Sequence, residues 1–574
     1  MFSSFRLASI KKHIISYIFL LLASSNACGQ KLVMQQASPL TFSSPKTEVR
    51  AVWLTTIGGI DWPHNYANAR NPQTISRQQA ELCRILDQYR KAGMNTVLVQ
   101  TRVRGTTIYP SAMEPWDGCL SGNPGTSPGY DALKYVIEEC HKRGMECHAW
   151  VVTIPVGKWN KKGCTMLRQK YPALIKKIGD DGYMDPENPA TGDYLAKICA
   201  EITRNYDIDG IHLDYIRYPE TWKMKVSQSQ GRQYITSIVG KIHDAVKRLK
   251  PWVKMSCSPV GKYSDLSRYS SKGWNAYNKV CQDAQGWLRT GYMDALFPMM
   301  YFKDNNFMPF AINWKENSYG KIVAPGLGIY FMDPKEGRWQ LADVTREMYV
   351  LRTIGAGYCF FRSKFFTDNL KGIYSFTEGE FNRFPSLVPA MTWQNGNRPT
   401  APDRMQVDKN QVRWTTGKAN NDSPYLTYNL YASRSWPVDV SKAENLVATR
   451  LMRNYANLST AGLHFAVTAM DRYGNESRAL QSSGEGGGTP AATARHRGPA
   501  LLECNGKTVT CPKPENARTD LAVICDMKGH MITSKLYSTD RIDVSRLENG
   551  MYELRSLNRK NISRRLGFFQ IKRK

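Results

Sequence analysis

The sequence lacks several features that would place it in common classes of protein. Its 13 cysteines include no C-x2-C pair with the spacing of metal ligands. After the N-terminus no apolar run approaches the twenty residues of a membrane-spanning helix. There is also no Gly-rich phosphate-binding turn and no aromatic-interleaved motif for nucleic acid. These absences argue against a zinc-stabilised fold, an integral membrane protein and a dedicated nucleic-acid-binding protein.

Acidic residues are scarce relative to basic ones, with 49 Asp and Glu against 78 Lys and Arg and a net charge of +29. Such a charge suits nucleic acid, an anionic envelope surface or an acidic glycan. The basic residues are spread along the whole chain, however, so we expect a solvated surface with modest attraction to anionic polymers and no nucleic-acid partner. Among the cysteines, Cys504 and Cys511 are the best-placed pair for a local disulfide, and most others are expected to be buried free thiols.

The N-terminus has the parts of a secretory signal peptide. A basic segment precedes the apolar run 14–22, and small residues follow it. Cleavage before Gln30 would define a signal peptide of residues 1–29; alternatively Cys28 is lipidated within an imperfect lipobox. We therefore expect an exported protein of the periplasm, the outer membrane surface or the extracellular space. Association with the cell envelope is expected, with no transmembrane segment after signal removal.

Apolar runs alternate with helical patterns from Glu48 to about Asn382, which predicts parallel strands joined by crossover helices. The predicted strands are 49–55, 96–102, 146–153, 210–216, 253–258, 295–301, 322–330 and 357–362. The predicted helices include 76–92, 130–143, 191–206, 230–249, 277–290 and 341–354. Eight such units predict an α/β fold, a (β/α)8 TIM barrel. A doubly wound open sheet is the alternative, disfavoured by the missing phosphate-binding turn.

The rest of the chain predicts two small all-β domains. We place the barrel at 48–392, a β-sandwich at 400–481, a Gly-, Ala- and Thr-rich linker at 482–499 and a C-terminal β domain at 500–574. The strand pattern of 400–481 resembles a fibronectin type III domain. The run 542–552 is similar to the sorting domains of the type IX secretion system, with a plain β-sandwich as the alternative.

Enzymes that cleave sugar bonds use two carboxyl groups, and in barrels the reactive groups stand at the C-terminal ends of strands. Asp214 lies near the C-terminal end of the fourth predicted strand and shares a face with His212. A carboxylate on the inward face of an apolar strand needs polar partners, which Arg217, Tyr215 and His212 could supply. A structural acid that anchors a loop is the alternative, and Asp209 is expected to form the turn before the strand.

The second carboxylate is less evident from the sequence. Glu220 lies in the loop after Asp214, Asp304 and Asp333 follow the sixth and seventh strands, and Glu114 lies in the loop after the second. Their separations are not fixed by sequence, so a retaining and an inverting mechanism both stay open. Other strand-end residues predict a polar, aromatic sugar cleft, with barrel-top packing as the alternative for the rings. They are Arg102, Arg104, His148, Trp150, Tyr215, Tyr218, Tyr301, Tyr330 and Arg362.

The arginines of this set could hold carboxylated sugar substituents through bidentate hydrogen bonds. His148 and His212 could form a metal pair, but no third ligand appears at a suitable spacing. We therefore expect no metal and no other cofactor.

An ordered series of motifs makes the barrel region similar to the glycosyl-hydrolase-like 10 family of bacterial envelope proteins. The motifs are RAVWLTT at 50–56, DWP at 61–63, GMNTV at 93–97, YPS at 109–111, PGYD at 128–131, HKRGMECHAW at 141–150, DGIHLDYIRYP at 209–219 and SPVG at 258–261. The resemblance implies a barrel hydrolase of envelope glycans, with peptidoglycan strands stripped of their peptides, or host or dietary glycans, as substrates. Family members often carry two successive acids at the end of strand 4. Asp214 matches the first, but Tyr215 stands at the second, so the pair does not transfer.

The sequence thus predicts an exported glycosidase that acts on a polysaccharide. A non-catalytic glycan-binding or envelope scaffold protein is the main alternative, which Tyr215 and the two accessory β domains favour. A binder of nucleic acid or another anionic polymer is the third hypothesis, and it rests on the net charge alone.

Overall fold

The computed structural model describes residues 44–267, 273–482, 502–513, 520–526, 531–557 and 563–573. They belong to two compact units, one ending at Ser482 and the other beginning after it. The predicted signal peptide with Cys28, and nearly all of the predicted linker, lie outside the described residues. In the described part of the chain, no helix is both long and apolar enough to cross a membrane.

The first unit opens with alternating strands and helices. The strands are β1 Arg50–Leu54, β2 Thr96–Arg102, β3 Glu146–Val152, β4 Pro155–Lys158, β5 Ile175–Ile178, β6 Asp181–Met184, β7 Gly210–Asp214, β8 Lys254–Cys257, β9 Ala295–Leu296, β10 Ile322–Val323, β11 Gly326–Leu327 and β12 Tyr358–Phe360. The helices are α1 Pro72–Lys91, α2 Gly118–Ser121, α3 Ala132–Lys142, α4 Lys162–Lys170, α5 Pro189–Asn205, α6 Gln228–Leu249, α7 Ala276–Lys279, α8 Ala284–Thr290, α9 Met308–Glu316, α10 Leu341–Thr353, α11 Ser363–Thr367 and α12 Ile373–Phe376. The predicted helix 277–290 is two short helices, because Cys281 between them has a left-handed φ of 58°.

The parallel sheet has the order β10-β9-β8-β7-β3-β2-β1-β12-β11. Its two outer members, β10 and β11, are halves of one segment, 322–327. Because β10 pairs with β9 and β11 pairs with β12, the sheet curls until its edges share that segment. The result is the TIM-like barrel that the sequence predicts, with eight strand segments around one interior.

Apolar side chains fill both faces of the barrel wall. Trp53, Leu98, Trp150 and Phe297 belong to the cluster inside the barrel, where they are nearly inaccessible to solvent. Outside, α5 begins at Pro189 after the capping Asn188 side chain, which accepts a hydrogen bond from the backbone of Ala190. The apolar stripe of this helix is buried as its spacing predicts: Leu195, Ile198, Cys199 and Ile202.

Between β3 and α5 the chain inserts a small antiparallel sheet with the order β4-β6-β5, together with α4. We refer to residues 155–184 as the insertion lobe. The lobe follows the C-terminal end of β3, so it stands at the end of the barrel where the strands terminate, which we call the mouth. Each of its strands has four residues, too few to show a clear period in the sequence.

Residues 405–481 form two antiparallel sheets, ordered β13-β14-β17 and β16-β15-β18-β19. The strands are β13 Met405–Asp408, β14 Gln411–Trp414, β15 Thr427–Ser433, β16 Leu446–Leu451, β17 Tyr455–Asn457, β18 His464–Met470 and β19 Leu480–Gln481. Val412 and Trp414 of the first sheet share a core with Leu430, Phe465 and Val467 of the second. These residues are a β-sandwich; the fibronectin type III assignment stays a prediction.

Buried ion pairs join this sandwich to the N-terminal ends of the barrel strands. Arg450 lies 2.6 Å from Asp209 and 3.0 Å from Glu146. Arg472 lies 2.8 Å from Asp209 and 3.0 Å from Asp207. Burial alone would raise the pKa of Asp209, but Arg472 and Arg450 outweigh it and hold this pKa well below the usual range. Asp209, expected to form a turn, therefore anchors the sandwich to the barrel.

The second unit is also all-β in its described residues. Its strands are β20 Thr508–Thr510, β21 Leu521–Asp526, β22 Met531–Leu536, β23 Arg541–Asp543, β24 Gly550–Leu557 and β25 Ser563–Ile571. They form sheets ordered β20-β23 and β22-β21-β24-β25. The predicted disulfide between Cys504 and Cys511 is not formed, since both are free thiols. The register explains this, because Cys504 opposes Val509 and Cys511 lies two residues further along. A secretion-sorting role for this unit stays a prediction.

Candidate active site

Asp214, the last residue of β7, is held at the barrel mouth by three donors. Its Oδ2 accepts a hydrogen bond from Trp150 Nε1 at 3.1 Å. Its Oδ1 accepts one from the Ser258 hydroxyl and one from the Tyr215 backbone N–H, each at 2.8 Å. Burial nevertheless raises the pKa of Asp214 above its ordinary value, because these donors and Arg217 only partly offset the lost hydration. A raised pKa favours the protonated form that an acid catalyst requires.

Tyr215 links Asp214 to the loop that follows β7. Its φ of 56° lies in the left-handed region, which bulky residues rarely adopt. The turn directs the Tyr215 N–H to the Asp214 carboxylate and carries the ring over the guanidinium of Arg217, 4.0 Å away. The Tyr215 hydroxyl lies 3.5 Å from Oε2 of Glu220. The backbone and side chain of one residue therefore contact both acids.

Glu220 is the second carboxylate of this cluster. Arg217 Nη2 donates to its Oε1 at 2.6 Å, from a side chain that is 4% exposed. Burial would raise the pKa of Glu220, but the hydrogen bond and charge of Arg217 outweigh it, so this pKa lies below its usual value. Two acids that contact one tyrosine thus have pKa values displaced in opposite directions. A pair in which one carboxyl group is protonated and the other ionised requires a displacement of this kind.

Aromatic rings form the side of the mouth contributed by the later strands. Tyr301 stacks on Phe361 with 5.3 Å between ring centroids. Tyr330 stacks on Phe331 at 4.2 Å, and Phe331 stacks on Trp339 at 5.0 Å. Burial raises the pKa of Tyr301, so this phenol stays protonated. Partly exposed rings of this kind pack well against the apolar faces of sugars.

The structure places Arg102 and Glu114 differently from the sequence prediction. Both side chains are fully buried, and they form an ion pair of 2.7 Å in the barrel wall. The Tyr194 hydroxyl also donates to Glu114 at 2.9 Å, and Arg102 donates to the backbone oxygen of Thr153 at 2.8 Å. The expectation that Glu114 is a catalytic acid and Arg102 a substrate ligand is wrong, because neither side chain reaches the mouth.

Three further predicted residues form hydrogen bonds or ion pairs with partners other than Asp214. His148 is buried inside the barrel with its Nε2 3.1 Å from Glu146. The buried Tyr218 places its hydroxyl 3.4 Å from Glu187. Arg362 pairs with Asp61 in the loop after β1. The prediction that they bind substrate is not supported for His148 and Tyr218, since each is almost inaccessible to solvent.

Asp304 lies outside the cluster at Asp214. It is in an exposed 3-10 turn and pairs with Arg346 at 3.4 Å, with both side chains 63% exposed. A solvated ion pair of this kind has no partner that would tune a catalytic acid. Of the predicted residues, the structure brings together Asp214, Glu220 and Tyr215, with Trp150 and Tyr301 beside them.

Sequence reasoning missed Ser258, Phe361 and Trp339. Ser258 ends the predicted fifth strand in the SPVG motif, so its position at a strand end could have revealed it. Phe361 is the penultimate residue of the predicted eighth strand, so the same signal applied to it. Trp339 lies in a loop, and no sequence signal marked it.

The histidines inside the barrel do not form a metal site. His212 Nε2 accepts from Trp53 Nε1 at 3.3 Å, and His212 Nδ1 lies 3.0 Å from the Ser256 hydroxyl. Burial lowers the pKa of His212 well below its usual value, so its ring is neutral and both nitrogens are occupied. Among the described residues, no cluster of three or more His, Cys, Asp or Glu could hold a metal ion.

A family model matches most of the barrel. Residues 48–234 and 227–330 match the family model described as "Glycosyl hydrolase-like 10". This match supports an assignment of the barrel to that family. The matched residues include Asp214, Glu220 and all three residues that donate to the Asp214 carboxylate.

Two bacterial relatives illustrate the similarity along the chain. Glycosyl hydrolase YngK of Bacillus subtilis (strain 168) is 27% identical over 483 residues, which cover 75% of this chain and 92% of that protein. Glycosyl hydrolase DigH of Escherichia coli (strain K12) is 28% identical over 297 residues, which cover 46% of this chain and 68% of that protein. An α-L-fucosidase structure from Paenibacillus thiaminolyticus aligns at 14% identity with a TM-score of 0.40, over 58% of this chain and 50% of that one.

Proposed function

We propose that this protein is an exported glycoside hydrolase that cleaves O-glycosidic bonds of a polysaccharide. The family match and the two glycosyl hydrolase relatives support a function of glycoside hydrolase type. The observation that carries the proposal is the pair Asp214 and Glu220, with pKa values displaced in opposite directions beside one tyrosine. Asp214 protonates the glycosidic oxygen of the leaving sugar. Ionised Glu220 acts at the anomeric carbon, as nucleophile in a retaining reaction or through water in an inverting one.

The substrate that we propose is the glycan strands of peptidoglycan or another complex glycan. This proposal draws on the family resemblance and on the signal-peptide pattern at residues 1–29, which directs the protein out of the cytoplasm. Tyr301, Tyr330 and Trp339 provide ring faces for sugars on one side of the acids. Lipidation at Cys28 would keep the protein at the envelope.

The pH dependence of activity tests the assignment of the two acids. Asp214 must be protonated, so kcat/KM falls as the pH rises through its raised pKa. Glu220 must be ionised, so kcat/KM falls as the pH drops through its lowered pKa. We expect a bell-shaped profile on peptidoglycan strands stripped of peptides. Glu220→Gln should lower kcat/KM by about 10²–10⁴-fold and abolish the acidic limb of the profile. A full acidic limb in Glu220→Gln would exclude Glu220 from this role.

Trp150→Phe tests the environment of Asp214 separately. The Trp150 Nε1–H stabilises the ionised form of Asp214, so its removal raises the pKa of Asp214 further. We expect the alkaline limb of the kcat/KM profile to move to higher pH. Trp53→Phe is the matched control, because Trp53 donates to His212 instead of Asp214. An equal displacement in both variants, or none in Trp150→Phe, would contradict the assignment.

A non-catalytic glycan-binding protein is the second candidate, favoured by two specific observations. Tyr215 stands where the family resemblance leads us to expect a second acid, and both Asp214 oxygens are engaged by protein donors. This candidate predicts retention on immobilised polysaccharide with no new reducing ends from wild-type protein on a glycan panel. Release of reducing ends by wild type, but not by Glu220→Gln, rules it out.

A further inference from the structure

The mouth has an arginine that pairs with neither of the proposed catalytic acids. Arg104 follows β2, its side chain is exposed, and it has no ion-pair partner among the described residues. Its φ is 58°, in the left-handed region that arginine rarely adopts. Such a conformation persists where the surrounding structure fixes it, and it is concentrated at functional sites. Arg217, by contrast, is already committed to Glu220.

Arg104 packs against the insertion lobe. Gly157 of β4 lies against it, since a Cβ at Gly157 would be 3.4 Å from the backbone oxygen of Arg104 and 3.5 Å from its Cβ. Burial and the charge of Asp181 raise the pKa of Tyr183 in β6, while the charge of Arg104 lowers it and that of Glu220 raises it. Arg104 and Glu220 therefore both lie near enough to Tyr183 for their charges to act on it.

The insertion lobe is strongly cationic. Residues 155–184 contain seven basic side chains and two acidic ones. The basic ones are Lys158, Lys161, Lys162, Arg168, Lys170, Lys176 and Lys177, and the acidic ones are Asp180 and Asp181. Lys158 pairs with Asp181 at 3.0 Å, and Lys176 lies 3.5 Å from Asp185. Most of the lobe's positive charge is therefore uncompensated within the lobe.

The loop on the other side of Glu220 adds to this charge. Lys223 and Lys225 follow Glu220 within five residues, and both are exposed. Cations on both flanks of Glu220 would hold an acidic sugar beside an ionised carboxylate, whose own charge otherwise repels it. A neutral polysaccharide would make no use of these cations.

We propose that Arg104 and the insertion lobe form an anion-binding subsite next to the scissile bond, so that the preferred substrate is a glycan whose sugars carry carboxylate or sulfate groups. The planar guanidinium of Arg104 binds such a group through two parallel hydrogen bonds. The lysines of the lobe raise the local concentration of the acidic chain. The inference names the substrate class of the proposed hydrolase and rests on that function, but binding at the subsite requires no turnover.

Binding to Asp214→Asn protein, which blocks the proposed acid step, tests the subsite by titration calorimetry. The ligands are a uronate-containing oligosaccharide, the same oligosaccharide after carboxyl reduction, and a sulfated oligosaccharide of equal length. We expect the acidic ligands to bind about tenfold or more tightly than the reduced one. Adding Arg104→Gln should abolish most of this preference and leave the affinity for the neutral ligand unchanged. Arg104→Lys, which keeps the charge but not the planar fork, should fall between the two.

Arg248→Gln is the matched control. It removes the same charge from an exposed arginine in the last turn of α6, at the end of the barrel opposite the mouth. Equal affinity for the uronate ligand and its reduced form, or equal losses in Arg104→Gln and Arg248→Gln, overturns the inference. Equally tight, Arg104-dependent binding of double-stranded DNA also overturns it.

Failure of the hydrolase proposal has a separate signature. It appears as absent turnover by the protein with native Asp214, whatever the ligand preference of Asp214→Asn. The ratio of uronate to sulfate affinity then identifies which anionic group the subsite prefers.

Discussion

Replacing Asp214 by Asn is expected to lower kcat/KM for glycan cleavage by about 10²–10⁴-fold while the protein stays folded. Asparagine keeps the size of the side chain and can still accept hydrogen bonds through its oxygen, but it has no proton to give to a leaving sugar. The oxygen of Asn can keep the hydrogen bonds from Ser258 and the Tyr215 backbone, and only the one from Trp150 to Oδ2 is lost. Rates and thermal melting curves of the purified variant provide the measurement.

Asp304→Asn is the matched control for this prediction. It is the same chemical change at an acid that the sequence also nominates, but Asp304 is solvated and paired with the exposed Arg346. We expect its kcat/KM to stay close to that of the wild type. Comparable losses in the two variants, or unchanged turnover in Asp214→Asn, would contradict the role given to Asp214.

Replacing Arg472 by Met is expected to lower the free energy of unfolding of the first unit by about 3–5 kcal/mol. The Arg472 side chain is 2% exposed, and its two amino groups pair with Asp209 and Asp207. Its loss removes one of the two arginines that pair with the buried Asp209. Removal of one partner from a buried ion pair is strongly destabilising. Because the pKa of Asp209 is lowered in the folded protein, this stabilisation is present at neutral pH and is lost as the pH falls through that pKa.

Arg413→Met controls for the general effect of replacing an arginine in the sandwich. The Arg413 side chain is 60% exposed and lies 4.0 Å from Asp408, so its change should cost about 0–1 kcal/mol. Urea unfolding at neutral pH and near pH 3 provides the comparison. Equal stability of the two variants at neutral pH would show that the Asp209 anchor contributes little.

The barrel was predictable because its signals are local. Each predicted strand overlaps a strand of the structure, since apolar runs bounded by turn residues mark them without knowledge of their neighbours. Asp214 was predictable for the same reason: the end of a strand in a parallel barrel is a defined place. Its assignment needed no information about which strands pair.

Arg102 shows where local reasoning fails. Alternation from Leu98 and Gln100 directs residue 102 into the barrel. The β2–β3 ladder, however, shifts register between Gln100 and Arg102, so that Arg102 pairs with Val151, whose side chain packs in the outer core. Because the strand contains one extra residue, the guanidinium points out of the barrel interior and pairs with Glu114 in the wall.

Contacts between distant parts of the chain also could not be predicted from the sequence. Arg450 and Glu146 are 304 residues apart, and Arg472 and Asp209 are 263 apart. No spacing rule connects such positions, because only the docking of the sandwich against the barrel brings them together. The insertion lobe was missed for a different reason, since its short strands give no clear period.

The most direct test of the central claim is mass spectrometry of the products formed in heavy-oxygen water from peptidoglycan strands stripped of peptides and from uronate-containing glycans. Hydrolysis by the Asp214 and Glu220 pair predicts shortened chains with one heavy oxygen at each new reducing end, and none from Asp214→Asn. Unchanged chains, or shortened chains without heavy oxygen, would contradict it.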